Sequence, residues 1–270
     1  MDLHAARVVV TGAASGIGRG ILEELGRLPL SVVASDVDGA RLEDAVRALG
    51  PDTPARVTTH PCDVSRPDQL DGLLETSAQR MGGVNLFFAN AGFAYYERMG
   101  EPDWDRLERI YRVNVLAPLY VARKMAVLNT GRPYRVVVTA SAMGLLALPG
   151  YAVYGSTKAA LHHFAQAYRH ELPDPASLTL VYPIGTRTGF FRAAGPRAAP
   201  EPWPTQTTQH VVRCILAGVR RDAHTILPST LFRAVLWANR FLPAVGMLVQ
   251  ALEKRRFRRW LAQGSAQDAP

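Results

Sequence analysis

Two hydrophobic rhythms alternate along this chain. Short runs of β-branched and aliphatic residues at 7–11, 30–35, 56–62, 84–89, 135–140, 178–182 and 225–227 read as strands. Between them, apolar residues recur every three or four positions, the period of a helix with one buried face. Ile21, Leu22, Leu25 and Leu28 mark the first such face, and Leu70, Leu73 and Leu74 mark a helix over 67–81. Further helices are expected over 39–49, from Pro102 to Asn129, from Ala152 to about Leu172, and over 207–220. The run 84–89 is apolar on both faces except at Asn85, which indicates a parallel sheet covered on each side. Unbroken strand–helix alternation predicts an α/β, doubly wound parallel sheet over residues 1–228, one domain with no internal linker. Two irregular stretches stand out. The loop 143–151 is apolar, with Leu145, Leu146, Leu148 and Pro149, and 186–204 is rich in Gly, Pro and Ala and reads as a mobile cover.

Composition adds a core and a tail. Of the 270 residues 48% are hydrophobic, ample for one large domain. The net charge is +8, and five of those charges sit together at Lys254, Arg255, Arg256, Arg258 and Arg259. Basicity confined to a tail argues against nucleic acid as a partner, which calls for a basic stripe on the domain itself. Residues 229–270 form a C-terminal apolar and basic helical extension. Its longest uncharged run, 241–252, has twelve residues and is too short to span a bilayer. Two readings stay open: the tail packs over a pocket or a partner subunit, or it lies in a membrane interface with cations towards anionic lipid. Cys62 and Cys214 follow no metal-ligand spacing, so no metal is expected and both read as reduced thiols of a cytoplasmic protein. The opening residues lack the apolar run of a signal peptide.

Chemistry enters at the strand ends. Gly12-Ala13-Ala14-Ser15-Gly16-Ile17-Gly18 lies between a strand and a helix. There, glycines admit a pyrophosphate close to the backbone and the helix N-terminus offers it unpaired N–H groups. Asp36 ends the second strand, where a carboxylate accepts from both adenosine ribose hydroxyls and repels a 2′-phosphate; otherwise it is a helix N-cap. Neither Ser15 nor Val37 supplies a cation for such a phosphate, so NAD is favoured over NADP. Asn90-Ala91-Gly92 places small residues where the fourth strand would pass under a cofactor. Asn114 is an amide on an apolar helical face and needs partners. Tyr154 and Lys158, four apart, share one helical turn; a nearby ammonium favours the phenolate and brings a phenol towards the working pH.

The set Thr11 to Gly18, Asn90-Ala91-Gly92, Asn114, Ser141 and Tyr154 through Lys158 resembles, in order and spacing, the motifs of the short-chain dehydrogenase/reductase family. The resemblance covers roughly residues 5–228 and implies a Rossmann fold. It implies that Tyr154 exchanges a proton with the substrate oxygen, that Ser141 places that oxygen, and that Lys158 holds the nicotinamide ribose and lowers the phenol's pKa. It further implies that Asn114 anchors a relay water, that Asp63 and Val64 flank adenine, and that Asn90 lines the cofactor. Thr188 would bond the carboxamide, near Pro183. Where the family has Pro-Gly after the sixth strand, this chain has Pro183-Ile184, with Gly185 one position later, which reshapes the wall beside the nicotinamide. The expected activity is alcohol–carbonyl interconversion with NAD on an apolar substrate of steroid, retinoid or fatty type, in a homodimer or homotetramer. The alternatives are an NADP-dependent carbonyl reductase of the same family, a non-catalytic cofactor sensor and a membrane-surface protein.

Overall fold

Seven strands form one fully parallel sheet in the computed structural model, which describes residues 1–101, 103–195, 198–200 and 203–265. They are β1 (Arg7–Thr11), β2 (Ser31–Ser35), β3 (Arg56–Thr59), β4 (Leu86–Ala89), β5 (Tyr134–Thr139), β6 (Ala176–Val181) and β7 (Thr225–Ile226). Their spatial order is β3-β2-β1-β4-β5-β6-β7. The helices are α1 (Gly16–Gly26), α2 (Gly39–Arg47), α3 (Pro67–Met81), α4 (Trp104–Tyr111), α5 (Ala117–Leu128), α6 (Ala152–Tyr168), α7 (Thr208–Arg220), α8 (Thr230–Phe241) and α9 (Ala244–Ser265).

The two-residue period of the strands sends neighbouring side chains to opposite layers. Val8 and Val10 face a layer containing Ile21, Leu25, Leu42 and Ile215, from α1, α2 and α7. Val9, one position away, faces Leu73, Val121, Met125 and Leu161, from α3, α5 and α6. Both layers are fully shielded from water, and each such aliphatic side chain contributes roughly 1.5–3 kcal/mol by burial. Asn85 leads into β4 and accepts from Arg7 N at 2.8 Å, so its amide is spent on tying two strands.

Several expectations change in detail. The third strand is ladder-paired only through Thr59, although Cys62 N still bonds Asp36 O at 2.9 Å. Helix α6 ends at Tyr168 rather than near Leu172. The long helix is broken: α4 passes through a π-helical turn, Arg112–Leu116, into α5, and Asn114 sits in that turn. Pro102, its expected first residue, lies outside the described residues, as do 266–270 of the tail. The stretch 186–204, of which 196, 197, 201 and 202 lie outside the described residues, is tied to the segment after β4 by Tyr96 N to Ala194 O at 2.9 Å. Cys62 is a buried thiol pushed up to about 12 by desolvation, and Cys214 is only half-buried; both are free.

In this strand order the chain turns in opposite directions on leaving β1 and β4, and a crevice opens at the carboxyl ends of these two neighbours.

Candidate active site

The crevice is a cleft of about 840 Å³ whose walls come from strand ends scattered through the sequence. At one end the turn after β1 enters α1. Gly12 has φ +68°, which a side chain rarely adopts. A Cβ on Gly18 would lie 2.0 Å from Gly12 O and 2.6 Å from Asn90 Nδ2, so this residue must be glycine for the turn to fold onto the helix. Gly18 therefore does not line the cleft; it supports Gly12, Ser15, Gly16 and Ile17, which do. The Asp36 carboxylate accepts from Ala14 N at 3.0 Å and Asp38 N at 3.2 Å, and lines the cleft beside the turn. The N-cap of α2 is Asp38, not Asp36. Asp63 and Val64 form the adjoining wall, and Asp63 accepts from Ser65 N at 2.9 Å.

Asn90 holds the floor together. Its Nδ2 donates to Thr11 O at 3.3 Å, and its Oδ1 accepts from Thr139 Oγ1 at 3.0 Å, joining β1, β4 and β5. Ala91 and Gly92 continue the floor, with Pro183 and Thr188 across from them. Ala142 N donates to Pro183 O at 2.9 Å, and Phe190 N donates to Thr188 Oγ1 at 3.2 Å. Ile184, the departure from the family pattern, faces the cleft.

At the other end, Ser141 caps a single 3₁₀ turn after β5, its hydroxyl accepting from Met143 N at 3.1 Å. Tyr154 and Lys158 enter from α6, only 5% and 4% exposed. Lys158 Nζ donates to Thr139 O at 2.9 Å and lies 5.7 Å from the centre of the Tyr154 ring. Burial pushes the Tyr154 phenol up to about 12, while its hydrogen bond with Ser141 works the other way. Burial alone lowers Lys158 to about 7. Desolvation penalises each charged form, so burial moves both groups towards neutrality. Phe190 packs on Tyr154 with ring centres 5.8 Å apart and helps keep the pair dry.

Asn114 lies outside the cleft, fully buried behind it. Its Nδ2 donates to Phe93 O at 2.8 Å and Thr157 Oγ1 at 3.1 Å, and its Oδ1 accepts from Phe93 N at 3.1 Å. The amide thus clamps the segment after Gly92 to α6, one residue from Lys158. A π-helical turn inserts one extra residue per turn and often marks functional sites.

Several cleft residues carry no signal in the sequence pattern. Arg41 is a cation on the cleft wall, its Nε 4.0 Å from Asp38 Oδ2. Arg106 lies 3.6 Å from the centre of the Tyr95 ring and pairs with Glu97 at 2.6 Å. Tyr151 is raised by burial and by the neighbouring Tyr96, Tyr154 and Glu253. Helix α9 also walls the cleft. Val249, Glu253 and Arg256 line the cleft, Phe257 and Trp260 pack on Tyr96 at 5.5 and 4.8 Å, and Trp260 Nε1 donates to Ala198 O at 3.0 Å. Among the described residues no cluster of His, Cys, Asp and Glu is placed to hold a metal.

The family model for short chain dehydrogenase matches residues 6–198. A 1-deoxy-11-beta-hydroxypentalenate dehydrogenase of Streptomyces arenae is 34% identical over 187 residues, 67% of this chain and 65% of that protein. A fatty acyl-CoA reductase of Mycobacterium tuberculosis is 30% identical over 190 residues, 68% of this chain and 64% of that protein. The matched region thus spans just under two thirds of each of these relatives. Among solved structures, a short-chain dehydrogenase/reductase from Burkholderia phymatum in complex with NAD superposes with a TM-score of 0.79 at 24% identity, covering 89% of this chain and 94% of that one. A short-chain dehydrogenase from Sphingobium yanoikuyae in complex with NADPH gives 0.76 at 24% identity, covering 97% and 96%. With a parallel sheet whose connections turn opposite ways from β1 and β4, a glycine turn at that point and a family match over most of its length, this chain belongs to the short-chain dehydrogenase/reductase family.

Proposed function

We propose that this chain is an NAD-dependent oxidoreductase that interconverts an alcohol and a ketone or aldehyde on an apolar substrate of steroid, retinoid or fatty type. The observation that carries the reading is the meeting of Tyr154, Ser141 and Lys158 in one dry cleft whose other end is the glycine turn and Asp36. The donor set fits a dinucleotide: the turn leaves no room for a side chain at Gly18, and Asp36 offers a carboxylate for ribose hydroxyls. Gly12, Ser15, Gly16 and Ile17 would hold its pyrophosphate, Asp63 and Val64 its adenine, and Lys158, Asn90 and Thr188 its nicotinamide half. A nicotinamide dinucleotide, when bound, supplies the acceptor or donor of hydride.

The residues of this chain would handle the proton. Tyr154 Oη, a phenol near 12, holds its proton at neutral pH and would give it to a carbonyl oxygen positioned by Ser141. In the opposite direction it must first lose that proton, and a charged Lys158 would favour the loss. Asn114 would anchor a relay water through an atom other than its two N–H donors, which Phe93 and Thr157 already take. Phe190, Phe191, Leu146 and Leu148 on the cleft wall support an apolar substrate, and a relative named for a fatty acyl group points the same way. We extend the proposal to a homodimer or homotetramer in the cytoplasm. Among the described residues no helix is long and apolar enough to cross a membrane.

NADP is the second reading, and Arg41 supports it: this cation lines the same cleft as Asp36 and would offer a partner to a 2′-phosphate. Binding titrations with NAD and NADP separate the two. Tighter NADP binding that Arg41→Ala abolishes would replace the first reading. For the chemistry, Tyr154→Phe is expected to lower kcat by roughly 10²–10⁴-fold while dinucleotide affinity holds. Unchanged turnover of medium-chain or steroid alcohols by that variant would leave a cofactor-binding protein without this chemistry.

A further inference from the structure

Helix α9 has two faces, and the cleft uses only one. Val249, Glu253, Arg256, Phe257 and Trp260 recur at helical spacing on the side that meets the cleft and Tyr96. The other side turns outward, and α8 joins it. Gly246 N donates to Asn239 Oδ1 at 2.8 Å, pinning the two helices into a hairpin that bends at Pro243. At that bend Trp237 is 70% exposed, Phe241 69%, Leu242 59%, Met247 67% and Leu248 62%. Trp237 and Phe241, one helical turn apart, touch edge to face at 5.2 Å. Five large apolar side chains left in water on one corner are an interaction surface.

The charge around the corner identifies its partner. Arg233 and Arg240 are exposed on α8, and Lys254, Arg255, Arg258 and Arg259 are exposed further along α9. Across residues 229–265 the sole carboxylate is Glu253, which faces the cleft and bonds Arg256 at 2.8 Å. The outer surface of the hairpin is therefore apolar at its bend and cationic along both arms. A second copy of the same face would bring two rows of cations together, whereas a surface that is apolar within and anionic at its rim complements it in both respects.

We propose that the α8–α9 hairpin docks this protein on an anionic lipid bilayer, with Trp237, Phe241, Leu242, Met247 and Leu248 at the acyl boundary and the six cations against the headgroups. Docking is independent of the catalytic reading, since no residue invoked for it takes part in the proposed chemistry, so turnover and binding fail separately.

Vesicle flotation of the full chain is the test, using phosphatidylcholine vesicles with and without phosphatidylglycerol. The wild type is expected to float with the anionic vesicles only and to be released by high salt. Trp237→Ser with Phe241→Ser is expected to abolish flotation. Arg258→Glu with Arg259→Glu is expected to weaken it at least roughly 30-fold, because each cation near the surface adds to the attraction. Circular-dichroism melts matching the wild type's certify that both variants are folded. Failure of the folded wild type to float, or equal flotation with neutral vesicles, overturns the proposal. So does a change of oligomeric state by light scattering in the Trp237/Phe241 variant without loss of flotation, which would make the corner a subunit contact.

Discussion

Replacing Asn114 with leucine separates two roles that one buried amide can play. The side chain is fully enclosed, and three hydrogen bonds run from it: two to the main chain of Phe93 and one to Thr157. Leucine of similar size keeps the space filled but strands the Phe93 N–H and C=O. An unsatisfied partly buried polar group costs about 1–3 kcal/mol, and lost bonds of this kind contribute about 1 kcal/mol each. Thr157 loses one donor to its hydroxyl but still donates to Tyr154 O at 2.7 Å, so its share is small. The sum is about 3 kcal/mol, which for a domain of this size lowers Tm by roughly 6–12 °C. Thermal melts followed by circular dichroism measure it, with Thr157→Val as a graded control expected to cost about 1 kcal/mol. Turnover measured well below Tm supplies the second readout. If Asn114→Leu melts within about 2 °C of the wild type, the clamp between the Gly92 segment and α6 is not what the amide provides. A catalytic loss with no change in Tm would then assign it to proton relay alone.

Gly18→Ala is expected to abolish dinucleotide binding in a titration while the sheet survives, because its Cβ would sit 2.0 Å from Gly12 O; retained affinity would show that the turn has room to shift. The lowered pKa of Lys158 carries a pH signature. Between about 7 and its unfolded value near 10.5 the unfolded state binds more protons, so this group's contribution to stability rises with pH across that window. Without added dinucleotide, the Tm of the wild type relative to Lys158→Met should therefore climb from pH 7 to pH 10, and a flat difference would refute the lowered proton affinity of the buried amine. Trp260→Ala removes one ring from the cover on Tyr96 and should raise KM for bulky apolar alcohols several-fold while leaving small alcohols unaffected; equal effects on both would mean that α9 does not wall the substrate end.

What was legible in the sequence followed from burial that is local in the chain. β1 and β4 are shielded on both faces, so nearly every residue in them is apolar, and the run announces itself. The glycine turn and Asp36 could be read because a strand end fixes what comes next, and Tyr154 and Lys158 because helical spacing alone puts them on one face. Their proton affinities could not be read. The burial that moves both towards neutrality, with Phe190 packed on the phenol, and the Ser141 hydrogen bond that opposes it reach α6 only through the strand order. The π-helical turn at Asn114 escaped for a related reason: its hydrophobic pattern is that of an ordinary helix, and the partners that hold it, Phe93 and Thr157, lie more than twenty residues away on either side. Arg41 and Arg106 were invisible as cleft residues because a charged side chain on a helix reads as solvent-facing until the neighbouring segment is placed against it. The tail shows the limit most directly. Its apolar spacing predicts helices, but in α9 it is nearly uniform around the axis, and only contact with Tyr96, from a segment before α4, divides α9 into a face that closes the cleft and a face that remains in water. A residue type becomes a site through its neighbours in space, and here the decisive neighbours are those the parallel crossovers bring together from distant parts of the chain.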